Sequence, residues 1–194
     1  MQSTRPLCLA SASPRRRELL ARFGLPFAVM SPQLDERVVA GEAAPAHINR
    51  LAALKAEAAL RHYPRHLILS GDTVVVHDGK ILGKPADGAD AERMLAALSG
   101  NSHRVLSAYL LLDGPTGQRC GRTVESRVFF RQLPPAWIRW YSRLDESRDK
   151  AGAYGIQGLG AAMVHRIEGS YTNVVGFPID AILWDLMDRG WMSL

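Results

Sequence analysis

Residues 66–82, HLILSGDTVVVHDGKIL, place the tightest constraint on the fold. They read as two strands turning at Asp78-Gly79, a pair suited to a type I′ hairpin. Elsewhere strand-like and helix-like segments alternate. PLCLA (6–10) is a short buried strand running into a helix at 13–23, and PFAVM (26–30) is a second strand. PAHINRLAALKAEAALRHY (45–63) has a strong helical pattern. Further helices are predicted at 88–98, 135–144 and 178–189, and strands at 103–112 and 119–132. The stretch 150–177 is Gly-rich and irregular, with strands inside it. Interleaved strands and helices with hairpins among them predict an α/β fold, a mixed twisted sheet with flanking helices. At 194 residues the chain is long enough for one sizeable domain, so a single domain over 1–194 is expected.

Composition narrows the partners. Hydrophobic residues make up 47% of the sequence, which excludes a disordered tail. The net charge of +5 suits an anionic partner: nucleic acid, a nucleotide or an acidic membrane. No block of five like charges occurs, which counts against a nucleic-acid tail. Cys8 and Cys120 form no metal-type pair, and two cysteines make no disulfide scaffold; a reducing cytosol is the expected compartment. There is no 18-residue apolar run and no signal-type h-region, so no membrane span or secretion signal is expected.

SASPRRRELL (11–20) poses a charge problem. Ser13 is a good N-cap and Pro14 suits the first helical position, yet Arg15, Arg16 and Arg17 fill the first turn, where acids are favoured. Helical geometry puts Arg16 near the middle of the Leu19/Leu20/Phe23 stripe, Arg15 on its flank and Arg17 towards solvent. Arg15 and Arg16, beside the helix N–H groups and the Ser11 hydroxyl, would make an anion site suited to phosphate. The alternative is a surface helix with a poor first turn, or arginines paired to distant acids.

Asp72 lies in an otherwise apolar strand, where an acid is costly unless paired, hydrogen-bonded or metal-bound. Counting back from the turn sets Lys84 opposite Thr73, so the hairpin is expected to bring Lys84 beside Asp72; a structural ion pair is the alternative. Lys55 falls on the same helical face as Ile48, Leu51, Ala52, Ala58 and Ala59, and either snorkels or reaches into a site. DKAGAYGIQGLGA (149–161) carries glycines suited to close backbone approach. It lacks the third glycine of a dinucleotide fingerprint, and GKILGKP is not a P-loop, so side-chain cations would have to bind any phosphate.

Together LASASPRRRELL, LAALKAEA, GDTVVV, GKILGKP, LSGNSHRV, DKAGAYGIQGLGA and IEGSYTNVVGFP resemble the Maf-type nucleoside triphosphate pyrophosphatases nearly end to end. The resemblance implies an elongated, two-lobed domain with a central cleft, of the Maf and inosine-triphosphatase-like kind. It implies hydrolysis of a nucleoside triphosphate to the monophosphate and pyrophosphate with Mg²⁺ or Mn²⁺. By position, Ser11, Arg15, Arg16, Lys55, Lys84 and Gln157 would line the cleft, with Asp72 as proton acceptor. Arg15, Thr73 and Gln157 resemble the branch acting on dTTP and UTP rather than 7-methyl-GTP; modified pyrimidine nucleotides are a further substrate class. The resemblance also implies a cytoplasmic homodimer. One departure is Glu146-Ser147, where the family often has Glu-Pro, expected to alter a loop and not the chemistry.

The resulting expectation is an enzyme in which Asp72 activates water or holds the metal, Lys55 and Lys84 assist catalysis, and Asp72 with Glu36 offers carboxylates to the cation. Ser11, Arg15, Arg16, Thr73 and Gln157 would bind substrate, with the Gln157 amide matching the O4 and N3–H edge of uracil or thymine. The rivals are a regulatory nucleotide-binding protein of septum formation with little catalysis, and a nucleic-acid binder. No membrane association and no stable nucleic-acid complex is expected.

Overall fold

The computed structural model describes residues 1–194. In chain order the elements are β1 (Gln2–Ser3), β2 (Leu7–Ala10), α1 (Pro14–Ala21), β3 (Phe27–Met30), α2 (Ala44–His62), β4 (Leu67–His77), β5 (Lys80–Leu82), α3 (Gly88–Leu98), β6 (Ser102–Asp113), β7 (Arg119–Phe130), α4 (Pro135–Tyr141), β8 (Val164–Glu168), α5 (Tyr171–Val175), α6 (Ile179–Asp188) and β9 (Met192–Ser193). The larger sheet has the neighbour order β3-β2-β4-β6-β7-β8, with β5 paired to β4. β2 is parallel to β3 and β4, whereas β5 on β4 and β8 on β7 are antiparallel, so the sheet is mixed as predicted. The chain packs as two compact units, each discontinuous in sequence. The first comprises 1–73, 107–124 and 176–194; the second comprises 74–106 and 125–175.

In the first unit β2 is wholly buried and in register with β4 from Leu7↔Leu67 to Ala10↔Ser70. α2 covers these strands with small residues. Ala56 and Ala59 pack on Cys8, Ala10, Ile68 and Leu112. Alanines allow a close helix approach, and Ser70 on β4 uses it, donating to the Ala52 carbonyl at 2.7 Å. At Gly71 a Cβ would lie 2.8 Å from the Ala108 carbonyl oxygen and 3.3 Å from the Phe177 ring, so no other residue fits. The sequence reading missed the two-residue pairing of β1 with β9, which is too short to carry a periodic signal.

In the second unit the hairpin turns where predicted. Asp78 and Gly79 have φ of 47° and 74°, the two positive values a type I′ turn requires, and His77 pairs with Lys80. The ladder stops at Val75↔Leu82, so strand pairing does not continue to Lys84 and Thr73 as the residue count predicted. This unit has its own core, in which Ala91, Leu95 and Leu98 of α3 meet Val75, Val105, Val128, Phe130 and Tyr154.

His103 sits in that core. Its Nε2 lies 2.8 Å from the Tyr154 hydroxyl, and its ring meets Phe130 and Tyr154 edge-on. Its Nδ1 is buried without a hydrogen-bond partner, so nothing there rewards a second proton. Burial, with a smaller contribution from His77, lowers the imidazole to about pH 4. An unfolded histidine takes its proton near pH 6.5. The neutral ring therefore contributes full stability above that value, and the contribution is lost as pH falls towards 4, at about 1.4 kcal/mol per pH unit. Urea unfolding at pH 7 and pH 4.5 should show this acid loss in the wild type, and His103→Gln should lose less over the same interval. An equal loss in both proteins would remove His103 as its source.

Candidate active site

The candidate catalytic groups of the first unit converge on α2 and β4. Lys55 belongs to the buried face of α2 with Ile48, Leu51, Ala52, Ala56 and Ala59, and only 5% of it is exposed. It does not snorkel. Its ammonium donates to Asp72 Oδ1 at 2.7 Å and meets Glu36 Oε1 at 2.8 Å. Asp72 is buried in β4, while Glu36 comes from the irregular segment 31–43 and its side chain is half exposed. Two carboxylates far apart in sequence thus face one nitrogen. The acid in the apolar strand has a partner, though it is Lys55 and not Lys84.

Arg16 resolves the charge problem of the first turn. Ser13 caps α1 by accepting from the Arg16 backbone N–H, and Pro14 starts the helix. Arg16 is buried, Arg15 half-buried and Arg17 exposed, as the helical geometry predicted. The Arg16 guanidinium is held by the protein itself. Nε donates to the Gly176 carbonyl at 2.9 Å, one terminal nitrogen to the Gly71 carbonyl at 2.7 Å and Ser11 Oγ at 3.3 Å, and the other to Thr73 Oγ1 at 3.0 Å. Of five N–H groups, at most one is left for an outside anion. Burial pushes this guanidinium below its ordinary value; the charges of Asp72 and Glu36 oppose that shift, and Arg15 adds to it.

Thr73 and Ser11 belong to this network. Thr73 donates its proton to the Gly176 carbonyl at 3.0 Å and accepts from Arg16, with Ser107 Oγ at 2.8 Å as a further partner. Ser11 accepts from the Ser13 N–H and from Arg16. The sequence reading gave no role to Ser107 or to the Gly71 and Gly176 carbonyls. Backbone acceptors carry no residue-type signal, and a serine in a strand carries little.

In the second unit Lys84 is exposed just beyond β5, and Gln157 is exposed in the turn that follows Tyr154. That turn is built on Glu146, which accepts from the Leu159 and Gly160 N–H groups at 3.1 and 3.0 Å and from the Tyr141 hydroxyl at 2.8 Å. Burial raises the Glu146 carboxyl, but these hydrogen bonds outweigh it and leave the group below its ordinary value. Ser147 is fully buried and donates its hydroxyl to the Leu144 carbonyl at 2.8 Å and its backbone N–H to the same oxygen at 3.1 Å. A proline there would remove the second bond. No three His, Cys, Asp or Glu side chains gather into a metal-binding set.

The Arg16 network yields a stability prediction. A lysine keeps the charge but cannot reach two carbonyls and a hydroxyl at once. Arg16→Lys should lower the unfolding free energy by about 3 kcal/mol, given that each hydrogen bond to a charged group contributes about 1.5–3. Arg17→Lys, on the exposed side of the same turn, should stay within about 0.5 kcal/mol of wild type. Urea titration measures both, and equal effects would contradict the clamp.

Comparison with known proteins identifies the family. The sequence profile of the family described as "Maf-like protein" matches residues 6–188. A protein of Syntrophus aciditrophicus named "dTTP/UTP pyrophosphatase" is 43% identical over 190 residues, covering 98% of this chain and 93% of that one. Proteins of the same name from Syntrophomonas wolfei and Symbiobacterium thermophilum are 47% and 45% identical, covering 94% and 95% of this chain and 96% and 94% of theirs.

Proposed function

The chain belongs to the Maf family, and from that premise we propose that it hydrolyses dTTP and UTP to the nucleoside monophosphate and pyrophosphate. The observation that supports this best is the buried Asp72–Lys55 pair with Glu36 on the same ammonium. A nucleic-acid reader has little use for an acid inside an apolar strand; a hydrolase needs one close to a cation.

The reaction places a water in line with the departing pyrophosphate oxygen. The water oxygen bonds the α-phosphorus, the α–β bridging bond breaks, and the water proton passes to Asp72. Lys55 occupies Asp72 Oδ1, which leaves Oδ2 to accept that proton. Lys55 also brings positive charge to developing phosphate negativity; Lys84, exposed in the second unit, is a further cation for phosphate. Arg15 and Ser11 bind phosphate oxygens. Arg16 contributes its charge and holds the Gly71 and Gly176 backbone still, with Thr73 ordering the guanidinium. Mg²⁺ uses one or two carboxylates together with substrate phosphates and retained waters. Asp72 and Glu36 each have one oxygen that Lys55 does not occupy, which fits that donor set; they would hold Mg²⁺ or Mn²⁺, with Asp72 then serving as ligand in place of proton acceptor. Bound there, the ion would supply charge neutralisation on the phosphates. In the second unit, the exposed Gln157 amide offers one donor and one acceptor to the pyrimidine O4 and N3–H edge. We propose further that residues 1–194 act as one functional domain, in a cytoplasmic homodimer.

The test is to incubate the protein with Mg²⁺ or Mn²⁺ and dTTP, UTP, CTP, GTP or 7-methyl-GTP, measuring pyrophosphate and orthophosphate separately. Pyrophosphate from dTTP and UTP is expected; orthophosphate as the direct product would place the cut at another bond. Asp72→Asn should fold normally, because Lys55 keeps Glu36 as its partner, and should lose about 10³-fold in kcat. Wild-type turnover in this variant would exclude Asp72 as the proton acceptor. Gln157→Glu should lower kcat/KM for dTTP and UTP by about tenfold relative to the other nucleotides, the loss of one good hydrogen-bonded match. Uniform loss across all nucleotides would refute its role in base selection.

A further inference from the structure

Glu36 poses a positioning problem of its own. It is the half-exposed member of the Lys55 pair, and it comes from residues 31–43, which have no helix or strand and whose residues 35–41 are all exposed. An unanchored segment of this kind samples many conformations. A carboxylate on it would meet Lys55 only part of the time.

The anchor lies on α2. Arg50 grips Glu42 with two nitrogens, Nε to Oε1 at 2.6 Å and a terminal nitrogen to Oε2 at 2.7 Å. The same terminal nitrogen donates to the Arg37 carbonyl at 3.2 Å, on the residue next to Glu36. Glu42 Oε2 also accepts the Val39 N–H at 3.2 Å and lies 3.1 Å from His47 Nδ1. The Glu42 side chain is only 11% exposed, although it sits in an exposed segment. Hydrogen bonding to Arg50 holds its carboxyl down at about 2, so it stays charged across the working pH range. On the other side of Glu36, Asp35 accepts from the Arg37 N–H and guanidinium, closing the local turn. Arg50 and Lys55 share α2, about 7.5 Å apart along its axis at 1.5 Å per residue. One rigid helix therefore carries both the group that Glu36 must meet and the group that fixes the segment delivering it.

We propose that Arg50 and Glu42 are positioning residues for the reaction: their bidentate pair clamps residues 37–42 to α2 and so holds Glu36 against Lys55. The proposal rests on the reading of Glu36 as an active-site carboxylate. Neither clamp residue touches the reacting atoms. A general loss of stability and a loss of Glu36 positioning are separated by asking whether the effect of the clamp depends on Glu36.

The experiment is a double-mutant cycle on the full chain: wild type, Arg50→Met, Glu36→Gln and the double variant, assayed with dTTP and Mg²⁺. Arg50→Met should lower kcat/KM by about tenfold, the usual scale for a residue that orients a ligand-binding group. In the Glu36→Gln background the same substitution should cost less than about twofold, because nothing remains to position. Arg50→Lys should fail to rescue, since an ammonium cannot span both Glu42 oxygens. A second readout needs no turnover: trypsin cleavage after Arg37 should accelerate by about fivefold or more in Arg50→Met, as expected when a local opening equilibrium is released. Should Arg50→Met not fold, Glu42→Gln weakens the same clamp without removing the arginine and should show the same two effects. Equal losses in both Glu36 backgrounds, or an unchanged rate of cleavage after Arg37, would overturn the proposal. A wild-type protein that leaves dTTP and UTP intact would refute the functional reading instead, and the trypsin rates would still decide whether the clamp exists.

Discussion

A buried ammonium is the constraint on which the first unit depends. An unpaired Lys55 would cost several kcal/mol in desolvation, so its helix is tolerable only if anionic oxygens meet it at hydrogen-bond distance. Asp72 has the complementary difficulty, being a buried acid in a strand whose other residues carry no charge that could meet it. Each makes the other's burial acceptable, and that requires α2 to lie close against β4. The alanines of α2 satisfy this requirement. Ala52, Ala56 and Ala59 keep the helix low on the sheet, and the Ser70 hydroxyl on the Ala52 carbonyl fixes its height less than one turn from Lys55. Core packing and the polar pair are therefore one piece of construction. Enlarging any of those alanines would lift the ammonium off its carboxylate.

Much of this was written in local sequence. The hairpin was legible because Asp78-Gly79 tolerates two positive φ angles and lies between two strand-like runs. α2 was legible because its apolar period is long and unbroken, and the same period placed Lys55 on the buried face. On α1 the Leu19/Leu20 stripe sorted the three arginines correctly into buried, half-buried and exposed. Local periodicity cannot say what a buried side chain faces. It left open whether Lys55 snorkelled, and it suggested Lys84 as the partner of Asp72 by extending a ladder beyond its last pair. Lys55 meets both carboxylates through contacts made across the fold, and nothing in the spacing from Glu36 to Lys55 to Asp72 announces them.

The segment bearing Glu36 shows why a site can be harder to read than the scaffold carrying it. Residues 31–43 have no period, and their order comes from single contacts: Arg50 on Glu42, Arg50 on the Arg37 carbonyl, Arg37 on Asp35. A contact of that kind depends on two particular side chains meeting and leaves no pattern in composition. The fold class is therefore robustly encoded by many redundant residues. The position of Glu36 is encoded by a few, each without a substitute.

Arg16 shows how the two levels meet. Cations in the first turn of a helix oppose its dipole and carry a penalty there. Arg16 offsets the penalty by spending its N–H groups on the carbonyls of Gly71 and Gly176 and on the hydroxyls of Ser11 and Thr73. Those carbonyls belong to positions that hold glycine; at Gly71 any side chain would collide with Ala108, and the residue directly precedes Asp72. The guanidinium thus holds the β4 backbone immediately before Asp72 while its charge stays within reach of Asp72 and Glu36. A lysine could supply that charge but not the geometry. An uncharged residue able to bond the same carbonyls would lose the charge. Arginine at this position answers both requirements, which is why an unfavourable helix start is the better solution here.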